Sequence, residues 1–228
     1  MNLKPMSEST EMYLKAIAEL DNRDVVAMAR LAERLSVTPV SANEMVRRLG
    51  EQGLVTHKPY KGVTLTKKGR EVASNVLRRQ RLWERFLHDH LKIEWAQVYE
   101  FACSLEHATA PEVTEALAAF LEHPKTCPRG NPIPAEDGSF EPLDGILLSE
   151  AEVGTAVRVL AVNATATEVL KYLQERNILP GRDIEIIEAA PMQGPLTLRV
   201  ENKEVALGLS LAEFVIVRPT KQQGNHHG

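Results

Sequence analysis

Three side chains able to ligate a metal or move a proton lie in one short stretch, Cys103-Ser104-Leu105-Glu106-His107. Residues three and four apart share a helix face, so a helix here would project thiol, carboxylate and imidazole to one side. Those donors together suit a divalent transition metal of borderline softness. The same residues also read as a small core cysteine beside a polar surface pair. Two further chemistries are open. A redox-sensing thiol needs a cationic neighbour, which His107 supplies one turn on, whereas Glu106 opposes a thiolate. A Cys-His pair can also act as nucleophile and base. No oxyanion-hole or nucleophile-elbow pattern accompanies it, so neither an enzyme nor a small-molecule substrate is expected. His123 and Cys127 carry ligand-type side chains in a Pro-rich run, without supporting spacing.

The elements that must position this cluster follow from periodicity. Tyr13, Ile17 and Leu20 fall at helical spacing in 9–21, with Ser9 or Thr10 as N-cap. Met28, Leu31 and Leu35 predict a second helix over 26–36. Thr38-Pro39 then suits a cap and first helical position for a third helix running to about Gly50. Residues 54–56 and 63–65 read as short strands around a basic turn, His57 to Gly62. One long helix is predicted from Thr66 to about Leu91, and two shorter ones near 95–108 and 111–122. The Pro- and Gly-dense run 123–146 lacks periodicity and reads as a linker. Beyond it the texture is strands at 155–162, 183–189, 196–200 and 214–217 with a helix at 166–176, which suits a small open barrel. The polar tail 221–228 reads as disordered.

Helix, helix, tight turn, helix and a basic two-stranded wing is the layout of a winged helix-turn-helix, whose third helix enters the DNA major groove. Thr38, Ser41, Asn43 and Glu44 at the start of that helix offer hydroxyls for phosphates and an amide and carboxylate for base edges. Arg47, Arg48, Lys58 and Lys61 suit the phosphate contacts that supply salt-dependent affinity. Charge is distributed accordingly. The chain carries a net charge of -4, yet residues 1–80 hold 14 basic against 9 acidic side chains, and the remainder is acidic. A basic third on an acidic body fits a local phosphate-binding face. With 43% hydrophobic and 25% charged residues the composition is that of an ordinary globular protein. No apolar run suffices for a membrane span and no secretory signal is evident. Two cysteines make no disulfide framework, and a reducing cytoplasm is expected.

Thr10-Glu11-Met12-Tyr13-Leu14, Arg81-Leu82-x-Glu84-Arg85, Cys103-x-x-Glu106-His107 and Gly130-Asn131-Pro132-Ile133-Pro134 occur in order and in register. In this the sequence resembles the iron-dependent repressors of the diphtheria toxin repressor family, over about residues 7–219. The resemblance implies a mostly α chain with a C-terminal β module: a winged helix-turn-helix DNA-binding domain at 1–72 and a helical dimerisation and metal-binding domain at 73–140. The linker's end at 141–147 and an SH3-like domain at 148–220 would follow. It further implies a homodimer on an operator duplex, formed through helices between about 66 and 122, with a metal as corepressor. The primary site it implies is Met12, Cys103, Glu106 and His107. Thioether and thiol favour Fe(II) over oxygen-preferring Mn(II), which is the alternative, and Co(II), Ni(II) or Zn(II) would substitute in vitro. An ancillary site, two histidines and a glutamate in the family, maps onto Gln80, Glu84 and Tyr99. Neither Gln nor Tyr replaces imidazole, so that site is expected to be weak, altered or absent. Glu168 is the nearest carboxylate that the C-terminal domain could lend it.

Overall fold

In the computed structural model, residues 6–20, 25–58 and 61–220 are described, so the expected disorder of the tail 221–228 lies outside them. They divide into two compact units. The first comprises residues up to 80 together with 106–109 and 134–140. Its helices are α1 (Glu8–Leu20), α2 (Met28–Arg34) and α3 (Pro39–Glu51). The wing strands β1 (Val55–Lys58) and β2 (Gly62–Leu65) follow, then α4 (Lys67–Asp89) as far as Gln80. Leu14, Ile17, Leu31, Val46, Leu49, Leu54 and Val63 form one buried core, which fixes α3 against the wing.

Local chemistry sets the ends of these elements. Thr38 Oγ1 accepts from the Ser41 amide and Pro39 occupies the first turn of α3, as its sequence predicts. At α1 the cap is Ser7, whose Oγ accepts from Thr10 N at 3.3 Å, rather than Ser9 or Thr10. The helix therefore starts earlier, and Met12 stands in its second turn. The wing is a hairpin with Val55 paired to Leu65 and Lys58 to Gly62. Val26 bridges to Val63, adding one rung. Gly62 has φ +121°, and a Cβ there would lie 2.2 Å from the Val26 carbonyl oxygen, so only glycine fits.

The second unit comprises 81–105, 110–133 and 141 onward. It contains the end of α4, α5 (Val98–Glu106) as far as Leu105, and α6 (Pro111–Phe120). The antiparallel sheet that follows is built from β3 (Ile146–Leu147), β4 (Ala156–Val162), β5 (Asp183–Ala189), β6 (Leu196–Val200), β7 (Lys203–Leu207) and β8 (Val215–Pro219). Its order is β3-β8-β4-β5-β6-β7. Irregularities at Val159/Ala161 and Ile186/Glu188 break the register, as bulges do where a sheet curls. Helix α7 (Thr167–Glu175) packs Leu170 and Leu173 into the sheet core together with Trp95 and Ala96. This is the expected SH3-like β module, with two additional short strands, β3 and β7.

Within the run 123–146, residues 127–134 are packed rather than free. Cys127, Arg129, Asn131 and Ile133 are buried. Within the second unit Arg81 donates to the Pro132 carbonyl and Arg85 Nε to that of Thr126, 3.1 Å away. In the first unit Arg78 donates to the Pro134 carbonyl at 2.8 Å. The carbonyls of Thr126, Pro132 and Pro134 thus take their donors from arginine side chains.

Candidate functional site

The reading helix buries Ala42, Met45, Val46 and Leu49 and turns its other face outward. Thr38, Ser41, Asn43, Glu44, Arg47 and Arg48 are all exposed, as are Lys58 and Lys61 of the wing. Several are already held. Asn43 Nδ2 donates to the Pro39 carbonyl at 2.8 Å, and Arg47 pairs with Glu51 at 3.2 Å. Such exposed i,i+4 pairs are weak and exchange readily for a phosphate. Sequence reasoning missed Val40, which is 69% exposed at the start of α3. A large apolar side chain presented there suits a thymine methyl. Its signal was that no apolar residue within α3 lies three or four positions from it.

Around the Glu-His pair the first unit holds a network of charges. Lys15 Nζ lies 2.5 Å from Glu106 Oε1, with both side chains buried. His107 Nδ1 is 2.8 Å from Glu11 Oε2, and His107 Nε2 is 3.1 Å from Glu106 Oε1. Arg79 binds Glu11 Oε1 at 2.9 Å and donates through Nε to the Glu106 carbonyl at 2.8 Å. Glu106 and Glu11 together hold the His107 imidazole above its ordinary pKa, against a downward pull from burial. Protonated, both ring nitrogens donate to carboxylates. Of the expected primary ligands, then, Glu106 and His107 meet. Met12 stands 40% exposed, and Cys103 is half-buried one turn before Glu106 on α5.

No group of three His, Cys, Asp or Glu side chains is preassembled for a metal among the described residues. The donors nevertheless fit one. Glu106 Oε2 is buried without a hydrogen-bond partner, a costly condition for a carboxylate oxygen that a cation would relieve. Sequence reasoning also missed Glu11, Lys15 and Arg79. Lys15 in particular sits between Leu14 and Ala16 on the apolar side of α1, where a lysine is unusual without a buried partner.

The ancillary set is arranged differently. Gln80 is buried on α4, one turn before Glu84. In the second unit both Glu84 oxygens accept from the fork of Arg129, Nε at 3.1 Å and Nη2 at 2.8 Å. The guanidinium lies 4.5 Å from the Tyr99 ring centroid. Burial of the cation is opposed and outweighed by the Glu84 charge, which holds Arg129 protonated. Burial and then Glu84 push the Cys127 thiol up to about 12. Glu168 is exposed on α7. His88 pairs with Asp89 at 2.8 Å, and His90 stacks on Phe86 with centroids 5.5 Å apart.

Comparison with known proteins matches three successive parts of the chain. Residues 5–63 match the iron dependent repressor N-terminal DNA binding domain, and 66–135 its metal binding and dimerisation domain. Residues 146–219 match the FeoA domain. The chain is 33% identical to the diphtheria toxin repressor of Corynebacterium efficiens over 94% of this chain and 97% of that one. It is 30% identical to the Corynebacterium diphtheriae repressor over 93% and 98%. The iron-dependent repressor IdeR of Mycobacterium tuberculosis is 29% identical over 94% and 99%. Among solved structures, a manganese-dependent transcriptional repressor in complex with manganese superposes with a TM-score of 0.84 at 30% identity. That match covers 92% of this chain and all of the other. The manganese regulator SloR gives 0.81 at 28%, over 94% of this chain and all of that one.

Proposed function

Because the chain belongs to the diphtheria toxin repressor family, and is a metal-dependent transcriptional repressor, we propose that its corepressor is Fe(II), held by Met12, Cys103, Glu106 and His107. The observation that carries this is the buried, unpartnered Glu106 Oε2 beside His107. Sulfur donors select the metal: Met12 and Cys103 both keep surface access, and thioether with thiolate favours Fe(II) over Mn(II). A bound divalent ion would supply the positive charge that the carboxylate and imidazole together require. The chain's own part is to release what holds those groups now. Lys15, now on Glu106, would have to withdraw its ammonium and His107, now on Glu11, to give up a proton, while Arg79 holds Glu11. With Met12 among the ligands, α1 would be tied to the end of α5, in the unit that carries the reading helix, and the population would shift toward the DNA-binding state.

The protein acts as a cytoplasmic homodimer on an operator duplex, with no catalytic role. Exposed Phe101, Val113 and Phe120 on α5 and α6 supply apolar surface for a partner copy. Two reading heads then sit about 34 Å apart, one turn of DNA. Thr38, Ser41, Asn43, Glu44, Arg47 and Arg48 face the groove, and Lys58 and Lys61 its flanking phosphates.

Fluorescence anisotropy of the chelator-stripped protein on duplex DNA from its own upstream region, titrated anaerobically, tests this. Binding is expected only with metal, at lower free Fe(II) than Mn(II). Mn(II) is the second reading, favoured by the manganese-dependent repressor and the manganese regulator among the solved relatives. Equal binding without metal sinks the corepressor model. Loss on thiol oxidation but not on chelation would make Cys103 a redox sensor instead.

A further inference from the structure

The ancillary position of this chain does not fit a metal. Glu84 is its one carboxylate, and the Arg129 fork occupies both oxygens, with side chains 0% and 2% exposed. Tyr99 turns its ring face to the same guanidinium, a favourable place for a cation. Arginine stays charged at any pH a folded protein tolerates. A divalent ion entering here would place three positive charges against one carboxylate, in a setting with little water to screen them.

The guanidinium also reaches the β module. Arg129 Nη1 donates to the Ala164 carbonyl at 3.0 Å and lies 3.4 Å from that of Val162. Asn131 Nδ2 donates to Val162 O at 3.2 Å, and the Val162 amide donates to Arg129 O at 2.9 Å. Gly130 makes the approach possible. Its φ is +83°, and a Cβ there would lie 2.0 Å from the Leu160 carbonyl oxygen on β4. One buried cation thus joins α4, α5 and the end of β4.

We propose that Arg129 is the resident cation of the ancillary site: this repressor binds one regulatory metal per chain, and its C-terminal module is clamped to the helices with or without metal. The proposal goes beyond the corepressor reading, because it concerns a separate set of residues and can fail independently.

The test uses the full chain, purified anaerobically, with Co(II) as probe. Calorimetry and elemental analysis are expected to give one Co(II) per chain for the wild type and none for His107→Ala. Two per chain, one of them lost in Glu84→Gln, would overturn the proposal. One per chain that survives His107→Ala but is lost in Glu84→Gln would overturn it and the primary-site assignment together. Limited proteolysis between residues 135 and 146 reads the clamp. Cleavage is expected at the same rate with and without Co(II) in the wild type, and about ten-fold faster or more in Arg129→Met, where the buried Glu84 loses its cation. Slower cleavage of the wild type on adding Co(II) would show a metal-dependent clamp and overturn it. Arg129→Met carries a risk of global unfolding, so Glu84→Gln/Arg129→Met, which removes both charges, accompanies it. That variant is expected to fold and still bind one Co(II), and loss of that equivalent would overturn the proposal.

Discussion

Lys15 and Glu106 form an ion pair 2.5 Å long with both side chains withdrawn from water. The ammonium stands on the carboxylate proposed above as a metal ligand, so lysine and metal would compete for Glu106. Breaking a buried pair by removing one partner typically costs about 3 kcal/mol or more. Lys15→Met is therefore expected to destabilise the metal-free protein by about that much and to tighten metal binding by ten-fold or more. Thermal melts with and without Mn(II), paired with calorimetry, measure both. Unchanged stability together with unchanged affinity would show that the pair has no bearing on the metal.

With His107 as a proposed ligand, metal affinity should depend on pH. Its pKa is raised, first by the hydrogen bond to Glu106 and then, against burial, by Glu11. The imidazolium's contribution to stability is thus fully present below its ordinary value near 6.5 and is lost as pH rises through the raised one. Metal needs the neutral ring, so apparent affinity should rise with pH across that same window. Calorimetry in buffers of different ionisation enthalpy should show a proton released from His107 on binding, absent in His107→Gln. Affinity flat between pH 6 and 8 would contradict the assignment.

The wing and reading helix separate affinity from specificity. Lys58→Ala and Lys61→Ala should each weaken binding equally on all duplexes and reduce the salt slope by about 0.9 for each phosphate left without its lysine. Val40→Ala or Asn43→Ala should instead change preference among sequences, by roughly 1–3 kcal/mol at the base pair involved. Anisotropy at several salt concentrations distinguishes them. A salt slope unmoved by both lysine substitutions would remove the wing from the interface.

The two cysteines differ in access. Cys103 is half-buried on α5, while Cys127 is 1% exposed with its thiol pushed up to about 12. Iodoacetamide at pH 8 should label Cys103 in the folded metal-free protein and leave Cys127 intact until unfolding, and bound metal should protect Cys103. Mass spectrometry of the labelled peptides reads this directly. Fast labelling of Cys127 would mean that 123–133 opens readily.

The winged helix, the long α4, the main strands and the Glu106-His107 pair were all legible without coordinates. Each rests on a pattern confined to one element: apolar side chains every three or four residues, Thr38-Pro39 opening α3, a basic turn between two short strands. Tertiary structure decided the fate of the buried charges. Lys15 meets Glu106 across 91 residues, and Arg129 meets Glu84 across 45. A charge stays out of water only where an opposite one arrives from elsewhere in the chain, and periodicity carries no record of that arrival. For the same reason the segment 123–133, with no period of its own, looked like a linker. Its burial depends on arginines of α4 that answer its carbonyls, and on a glycine small enough to lie against β4.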